Sequence, residues 1–178
     1  MVDGRNAGDL TLDGVSVGAD RVLGSVDAGA DLLDAILDRA AIGLSAEMLG
    51  TFAEAFERTL QYLKDREQFG VKIGTFQALR HRAADAWIEL ELARSVVREA
   101  LAALDEERED VSQMASAAKA RCSDTASLIT GEALQMHGGI GMTDEEEIGL
   151  FFKRAKAAEM TLGDGIYHRD RFASLRGY

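Results

Sequence analysis

The residues of this chain whose types and spacing could do chemistry fall in two short runs. One is Gln135-Met136-His137-Gly138-Gly139-Ile140-Gly141-Met142-Thr143, which closes a long helical pattern. Its glycines allow left-handed backbone angles and close approach to something flat or charged. Thr143 has Glu146 three residues on, a capping-box spacing that is expected to open the next helix. Two readings stand side by side. One is a glycine stop between packed helices. The other is a cradle whose amides and Gln135 face a phosphate or an adenine.

The second run is Arg66-Glu67-Gln68-Phe69-Gly70-Val71-Lys72-Ile73-Gly74-Thr75-Phe76-Gln77. A helix ends and another begins within it. Arg66 offers a planar fork of donors suited to phosphate. Gln77 stands in the first turn of the following helix, where free amides and the dipole also favour an anion. Phe69 and Phe76 add flat apolar surface. The alternative is an arginine capping a helix end with two phenylalanines plugging the end of a bundle.

The elements that must position these runs are helices. Phe52, Phe56, Leu60 and Leu63 step by four, four and three, which predicts one apolar stripe on a helix over 29–65. From about Thr75, Leu79, Ala83, Ala86, Leu90, Ala93, Val97, Leu101 and Leu104 repeat at three and four, with Trp87 and Ile88 widening that face. The charged run 105–110 reads as a solvated turn. Further helices are expected over 111–136, where Ala, Ser and Thr allow close packing, over 144–160 and over 164–175. The fold class is therefore all-α: an up-and-down four-helix bundle with an extra short C-terminal helix. Residues 1–25 differ. Leu10-Thr11-Leu12 and Val15-Ser16-Val17 flank Asp13-Gly14 and predict a hairpin, a short β remnant. The expected division is 1–26 as the remnant of a β-domain and 27–178 as the helical domain.

Composition excludes several function classes. The 178 residues suffice for one domain with a core, and 47% are apolar, which argues against disorder. There is no proline to break long helices. Net charge is −11, from 20 basic and 31 acidic residues, which speaks against a nucleic-acid or anionic-membrane partner. Cys122 is the single cysteine, so neither an internal disulfide nor a cysteine-based metal cluster is expected. It reads as a small core residue. No apolar run is long enough to span a membrane, and a cytoplasmic protein is the default. His81, His137 and His168 are read as surface or cradle residues. Lys153, Arg154 and Lys156 are read as a solvated basic face. No Glu-x-x-His pair supports a di-iron site, and no metal is expected.

Taken together, Arg-x-x-Phe-Gly, then Phe-Gln, then Gln-x-x-Gly-Gly-x-Gly sixty-nine residues after the arginine, resemble the acyl-CoA dehydrogenase family. The resemblance covers 27–175, that family's C-terminal helical domain, and residues 1–25 look like the close of its middle β-domain. The rest of such a protein would lie upstream of this chain. The resemblance implies an FAD flavoenzyme that dehydrogenates an acyl-CoA thioester between its α and β carbons. It implies a homo- or hetero-oligomer built through the helical domain, and an electron-transfer partner. Carried over by position, Arg66, Phe69 and Gln77 would meet the flavin nucleotide of a neighbouring subunit. Gln135, Met136, His137, Gly138 and Gly139 would meet its adenine end.

The same resemblance implies a catalytic base that this chain lacks. The family commonly keeps a Glu before a Gly just ahead of the last helix, and here that place holds Leu162, followed by Gly163. Some relatives keep the base on the first long helix, at a place falling near Ala40 and Ala41. Asp38 lies two residues from there, about 200° around a helix, and is expected to face elsewhere. Asp164 is the remaining catalytic candidate, with a helix N-cap as its other reading. The family includes heteromeric bacterial enzymes acting on steroid side-chain thioesters, in which one kind of subunit lacks the base. The chain looks like such a subunit, or like a divergent relative using Asp164.

Overall fold

A computed structural model describes residues 2–178. Helix α1 spans Gly29–Asp65, α2 Gln77–Asp105, α3 Val111–His137, α4 Ile148–Met160 and α5 Gly165–Leu175. The apolar periodicity of α1 and α2 is what folds them. Ile42, Met48, Phe52 and Phe56 of α1 meet Leu90, Ala93 and Val97 of α2 in one core. Helix α3 is the centre of the bundle and packs on the other four helices. Its buried residues are mostly small, Ala115, Ala118, Cys122 and Ala126 among them, so its backbone can lie close to all its neighbours. Cys122 is a core residue, as expected.

Between α1 and α2 the chain makes a miniature hairpin. Strands β1 (Glu67–Gln68) and β2 (Val71–Lys72) pair antiparallel with Gln68 opposite Val71. The two-residue turn is Phe69-Gly70, both at positive φ (55° and 78°), as the twist of a tight hairpin requires. A short 3-10 helix, Ile73–Thr75, leads into α2. Gly74 is needed there for proximity, since a Cβ would sit 2.8 Å from the Leu63 carbonyl oxygen.

The architecture departs from the sequence reading at four places, and further departures lie among the candidate site residues. Residues 10–17 form no strands; apart from a 3-10 turn at Ala19–Arg21, the described residues before α1 lack regular structure. Leu10, Leu12, Val15 and Val17 are exposed, and an isolated hairpin with nothing to cover it is marginal in water. Helix α4 starts at Ile148 rather than 144. Thr143 instead ends a 3-10 helix, Gly138–Met142, donating to the Ile140 carbonyl at 2.7 Å, so the capping box does not form. Trp87 and Ile88 do not widen the buried face of α2: they are 54% and 50% exposed. Arg154 is not solvated: it reaches Asp3 (2.8 Å) and Glu47 (2.6 Å) and is largely buried.

Candidate functional site

Both sequence runs lie at one end of the bundle. Met136, at the end of α3, packs with Leu63 at the end of α1 and with Ile73 of the connecting turn. Tyr62 stacks on the His137 ring at 4.3 Å and its hydroxyl donates to the His137 carbonyl at 3.2 Å. His137 Nδ1 donates to the Ala133 carbonyl at 2.7 Å. Met136 and His137 are thus buried anchors, so His137 is not a surface residue. The anchors present what surrounds them. Gln135, Gly138 and Gly139 are exposed, and the Gly138 φ of 67° turns the chain away from α3. On both glycines a Cβ would meet nothing, so the backbone face there is open.

Across from them Arg66 is exposed, and its guanidinium has no hydrogen bond or ion pair among the described residues. Its backbone does the structural work, accepting from Ile73 N and donating to Tyr62 O. Gln77 is the first residue of α2, exposed, with its amide 3.4 Å from the His81 ring. Phe69 is 91% exposed and touches Phe76 edge-on at 6.2 Å between ring centres. A phenylalanine in the left-handed region costs about 1 kcal/mol, and this one recovers little by burial. Phe69→Asn, which creates the favoured Asn-Gly turn, is therefore expected to raise the stability of the chain by about 1 kcal/mol in urea unfolding. A loss of stability would show that the Phe69–Phe76 contact holds the hairpin.

The two places where the resemblance would put a base meet elsewhere, at a cavity of about 280 Å³ between α1 and α5. Leu162 and Ala41 both line it, and so does Asp38. The expectation that Asp38 faces away is wrong because Ala41, not the exposed Ala40, is inward, and residues three apart on a helix are neighbours. Asp38 is nonetheless occupied. Its Oδ1 accepts from Arg171 Nη1 at 2.6 Å and its Oδ2 from Ser112 Oγ at 2.6 Å. Asp34 also lines the cavity but is exposed. Asp164 does not line it. Its Oδ1 accepts from the Tyr167 amide at 2.8 Å, making it the N-cap of α5.

The cap has a consequence that separates it from catalysis. Asp164→Ala should lose about 1 kcal/mol of stability, while Asp164→Asn, an equally good cap, should lose little. If Asp164 were the base, Asp164→Asn would abolish turnover of the assembled enzyme with stability intact, so paired melting and activity measurements decide the matter.

The loop between α4 and α5 is held by residues the sequence reading passed over. Leu162 has φ 62°, strain of the kind that persists only where surroundings impose it, and Gly163 at φ 97° takes the turn freely. Lys119 of α3 is fully buried and donates to the carbonyls of Gly163 (2.7 Å) and Glu159 (2.9 Å). Burial lowers its pKa to about 8. His168, read as surface, is also buried, and its Nε2 donates to the Leu162 carbonyl at 2.9 Å. A signal for Lys119 was visible: a lone charge between Ala118 and Ala120 in a run of small core residues.

Comparison with known proteins adds what geometry alone does not. The family model described as acyl-CoA dehydrogenase, C-terminal domain, matches residues 27–174. Acyl-CoA dehydrogenase IpdE2 of Mycolicibacterium smegmatis is 41% identical over 128 residues, 72% of this chain and 39% of that protein. Among solved structures, butyryl-CoA dehydrogenase from Megasphaera elsdenii superposes with a TM-score of 0.86 at 29% identity, over 90% of this chain and 42% of the other. A variant of the steroid ACAD Tcur3481-Tcur3483 gives 0.79 at 34% identity, over 84% and 40%. The chain spans about two fifths of the length of these relatives. No helix among the described residues is long and apolar enough to cross a membrane.

Proposed function

The chain belongs to the acyl-CoA dehydrogenase family through its C-terminal helical domain, and from that premise we propose that it contributes FAD-binding and oligomer-core surfaces to a flavoprotein acting on an acyl-CoA thioester. The observation that carries this reading is the shared end of the bundle. There Arg66, unpaired among the described residues, an exposed Phe69, Gln77, Gln135 and the open backbone of Gly138 and Gly139 are held together by the Met136–Leu63–Ile73 contact. The donor set fits a dinucleotide. Arg66 suits a diphosphate bidentately, Gln135 can bond an adenine edge, and Phe69 supplies a flat wall. FAD, when bound, supplies the acceptor for the hydride taken in α,β-dehydrogenation. The residues of this chain bind and orient it across a subunit boundary.

In this reading residues 1–26 belong with a β-domain, which accounts for an apolar, strand-like segment left exposed. The assembly meets acyl-CoA and an electron-transfer partner, and it works in the cytoplasm. The test is flavin uptake. Assembled with the remainder of its protein or a sister subunit, the chain should acquire flavin absorbance. Arg66→Ala should lose at least ten-fold in FAD affinity with helical content and sedimentation unchanged. Retained FAD affinity would remove Arg66 from the site, and an assembly that never takes up flavin would overturn the reading.

A second reading is favoured by the carboxylates near the expected base positions: Leu162 stands where the resemblance commonly puts a glutamate, Asp38 is tied to Arg171 and Asp164 caps a helix. On this reading the chain is a non-catalytic subunit or assembly module of a heteromeric complex. The likeness to the steroid ACAD Tcur3481-Tcur3483 is in keeping with it. Turnover that requires a carboxylate supplied by another subunit would support it.

A further inference from the structure

Helices α4 and α5 follow one another over the groove between α1 and α3. Glu159 of α4 accepts from Ser127, and Arg171 of α5 donates to Ser116, nearer the start of α3. Arg154 of α4 bonds Glu47 of α1, and Arg171 bonds Asp38 nearer its start. The outward side of this pair is apolar and uncovered: Leu150, Met160 and Ile166 are exposed, Met160 to 79%. A single exposed apolar residue is ordinary, but a row along two consecutive helices marks a contact surface. The two ends of the row differ in charge. At the α4 end lies a groove of about 330 Å³, walled by Met142, Leu150 and Phe152. Asp144 and Glu146 stand on its rim without an ion pair among the described residues, whereas Glu147 is taken by Arg58 at 2.8 Å. At the α5 end the chain turns at Gly177, with φ 84°, and presents Arg176 and Tyr178. Tyr178 is 93% exposed, and the Arg176 guanidinium has no hydrogen bond or ion pair among the described residues. Asp110, the carboxylate that feels its charge, is already bonded to Arg108.

We propose that a second copy of this chain covers the α4–α5 face, antiparallel about a two-fold axis, with Arg176 and Tyr178 of each copy seated in the groove of the other. A chain cannot fill its own groove. Leu175 is held to Gln113, near the start of α3, at 3.3 Å, while the groove includes Leu134 near the end of that helix. The stretch of α3 between them is about 32 Å long, and the residues after Leu175 reach only about 10 Å when extended. In the pair, Arg176 meets Asp144 and Glu146, and the Tyr178 ring lies against Met142, Leu150 and Phe152. Lys153, on the same rim, donates to the phenol oxygen. Met160 and Ile166 of the two copies close the middle of the face. Charge selects the antiparallel arrangement, since a parallel pair would bring the two acidic ends together. An isologous contact of this kind closes at two copies, and an exposed tyrosine beside an arginine is the composition that anchors interfaces. The proposal deepens the oligomer part of the proposed function and rests on that part alone, since no group it uses belongs to the nucleotide cradle.

The test is sedimentation of the full chain over a concentration series, which should show a monomer–dimer equilibrium. Arg176→Glu and Asp144→Arg should each raise the dimer dissociation constant about tenfold, because every contact occurs twice and is turned from attraction to repulsion. Combined in one chain, the two reversals should bring it back to within about threefold of the parent, a recovery that a merely structural effect would not produce. Tyr178→Ala should weaken the dimer without any such rescue. All three positions are exposed, so helical content should not change in any variant. A monomer at every concentration overturns the proposal. So does a dimer indifferent to the single reversals, which would place the contact on another face, or a double variant as weak as either single one. Flavin uptake by the assembled protein is a separate readout, so its failure would not be confused with any of these.

Discussion

Arg171→Met is expected to cost about 3 kcal/mol of folding stability, read as a shift in the urea midpoint at unchanged slope. The reason is what the substitution leaves behind. Arg171 Nη1 is shared among Asp38 Oδ1 at 2.6 Å, Ser116 Oγ at 2.9 Å and the Ser112 carbonyl at 3.3 Å. It therefore ties α5 to both α1 and α3. Removing it strands a carboxylate whose side chain is 5% exposed, and an uncompensated buried charge costs more than the pair itself contributed. The value lies at the low end for buried pairs because the guanidinium is 23% exposed and partly screened. Asp38→Asn in the same chain should restore at least 1 kcal/mol, since no charge is then stranded. A loss below 1 kcal/mol for Arg171→Met, or no recovery in the double variant, would show that the pair does not hold α5 in place.

Stability should also rise with pH just above neutrality, against the usual trend, because of Lys119. An ordinary lysine titrates near 10.5, and burial brings Lys119 to about 8 in the folded chain. Between those values the unfolded chain holds a proton the folded chain lacks, so raising pH favours folding by about 1 kcal/mol per pH unit. As a neutral amine, Lys119 still donates to the Glu159 and Gly163 carbonyls and can accept from Ser123 Oγ at 3.3 Å. Cys122 acts in the opposite sense. Burial raises its thiol from 9.0 to about 12, so between those values the folded chain keeps the proton and stability falls as pH rises. The expected profile climbs from about pH 8 to 9, flattens to about 10.5 and then declines. Lys119→Met should remove the climb, and Cys122→Ala the decline. A flat profile from pH 8 to 9 in the parent chain would contradict the lowered pKa of Lys119.

Much of this was readable in advance. The bounds of α1 follow from an uninterrupted apolar stripe with no proline, and α3 and α5 end within one residue of expectation. Errors came where tertiary surroundings overrule local rules. Thr143 has the right spacing for a capping box, yet the chain winds a 3-10 helix through Gly138–Met142 first and spends the Thr143 hydroxyl on it. Trp87 and Ile88 are apolar but sit just outside the arc that α1 and α3 cover. His137 and His168 are polar yet buried, because backbone carbonyls of Ala133 and Leu162 satisfy one ring nitrogen each.

By itself the sequence determined the helices, through 3.6-residue periodicity, and the chemistry of the two glycine-containing loops, through residue type. It also determined that position 162 holds no acid. Only the tertiary structure decided that both loops share one end of the bundle, through Leu63, Ile73 and Met136. Only the tertiary structure brought Asp38 and Arg171, 133 residues apart, to one cavity beside Leu162 and His168. The physical reason is that periodicity records which face of a helix is buried, whereas the partner across that face depends on how the helices pack around α3.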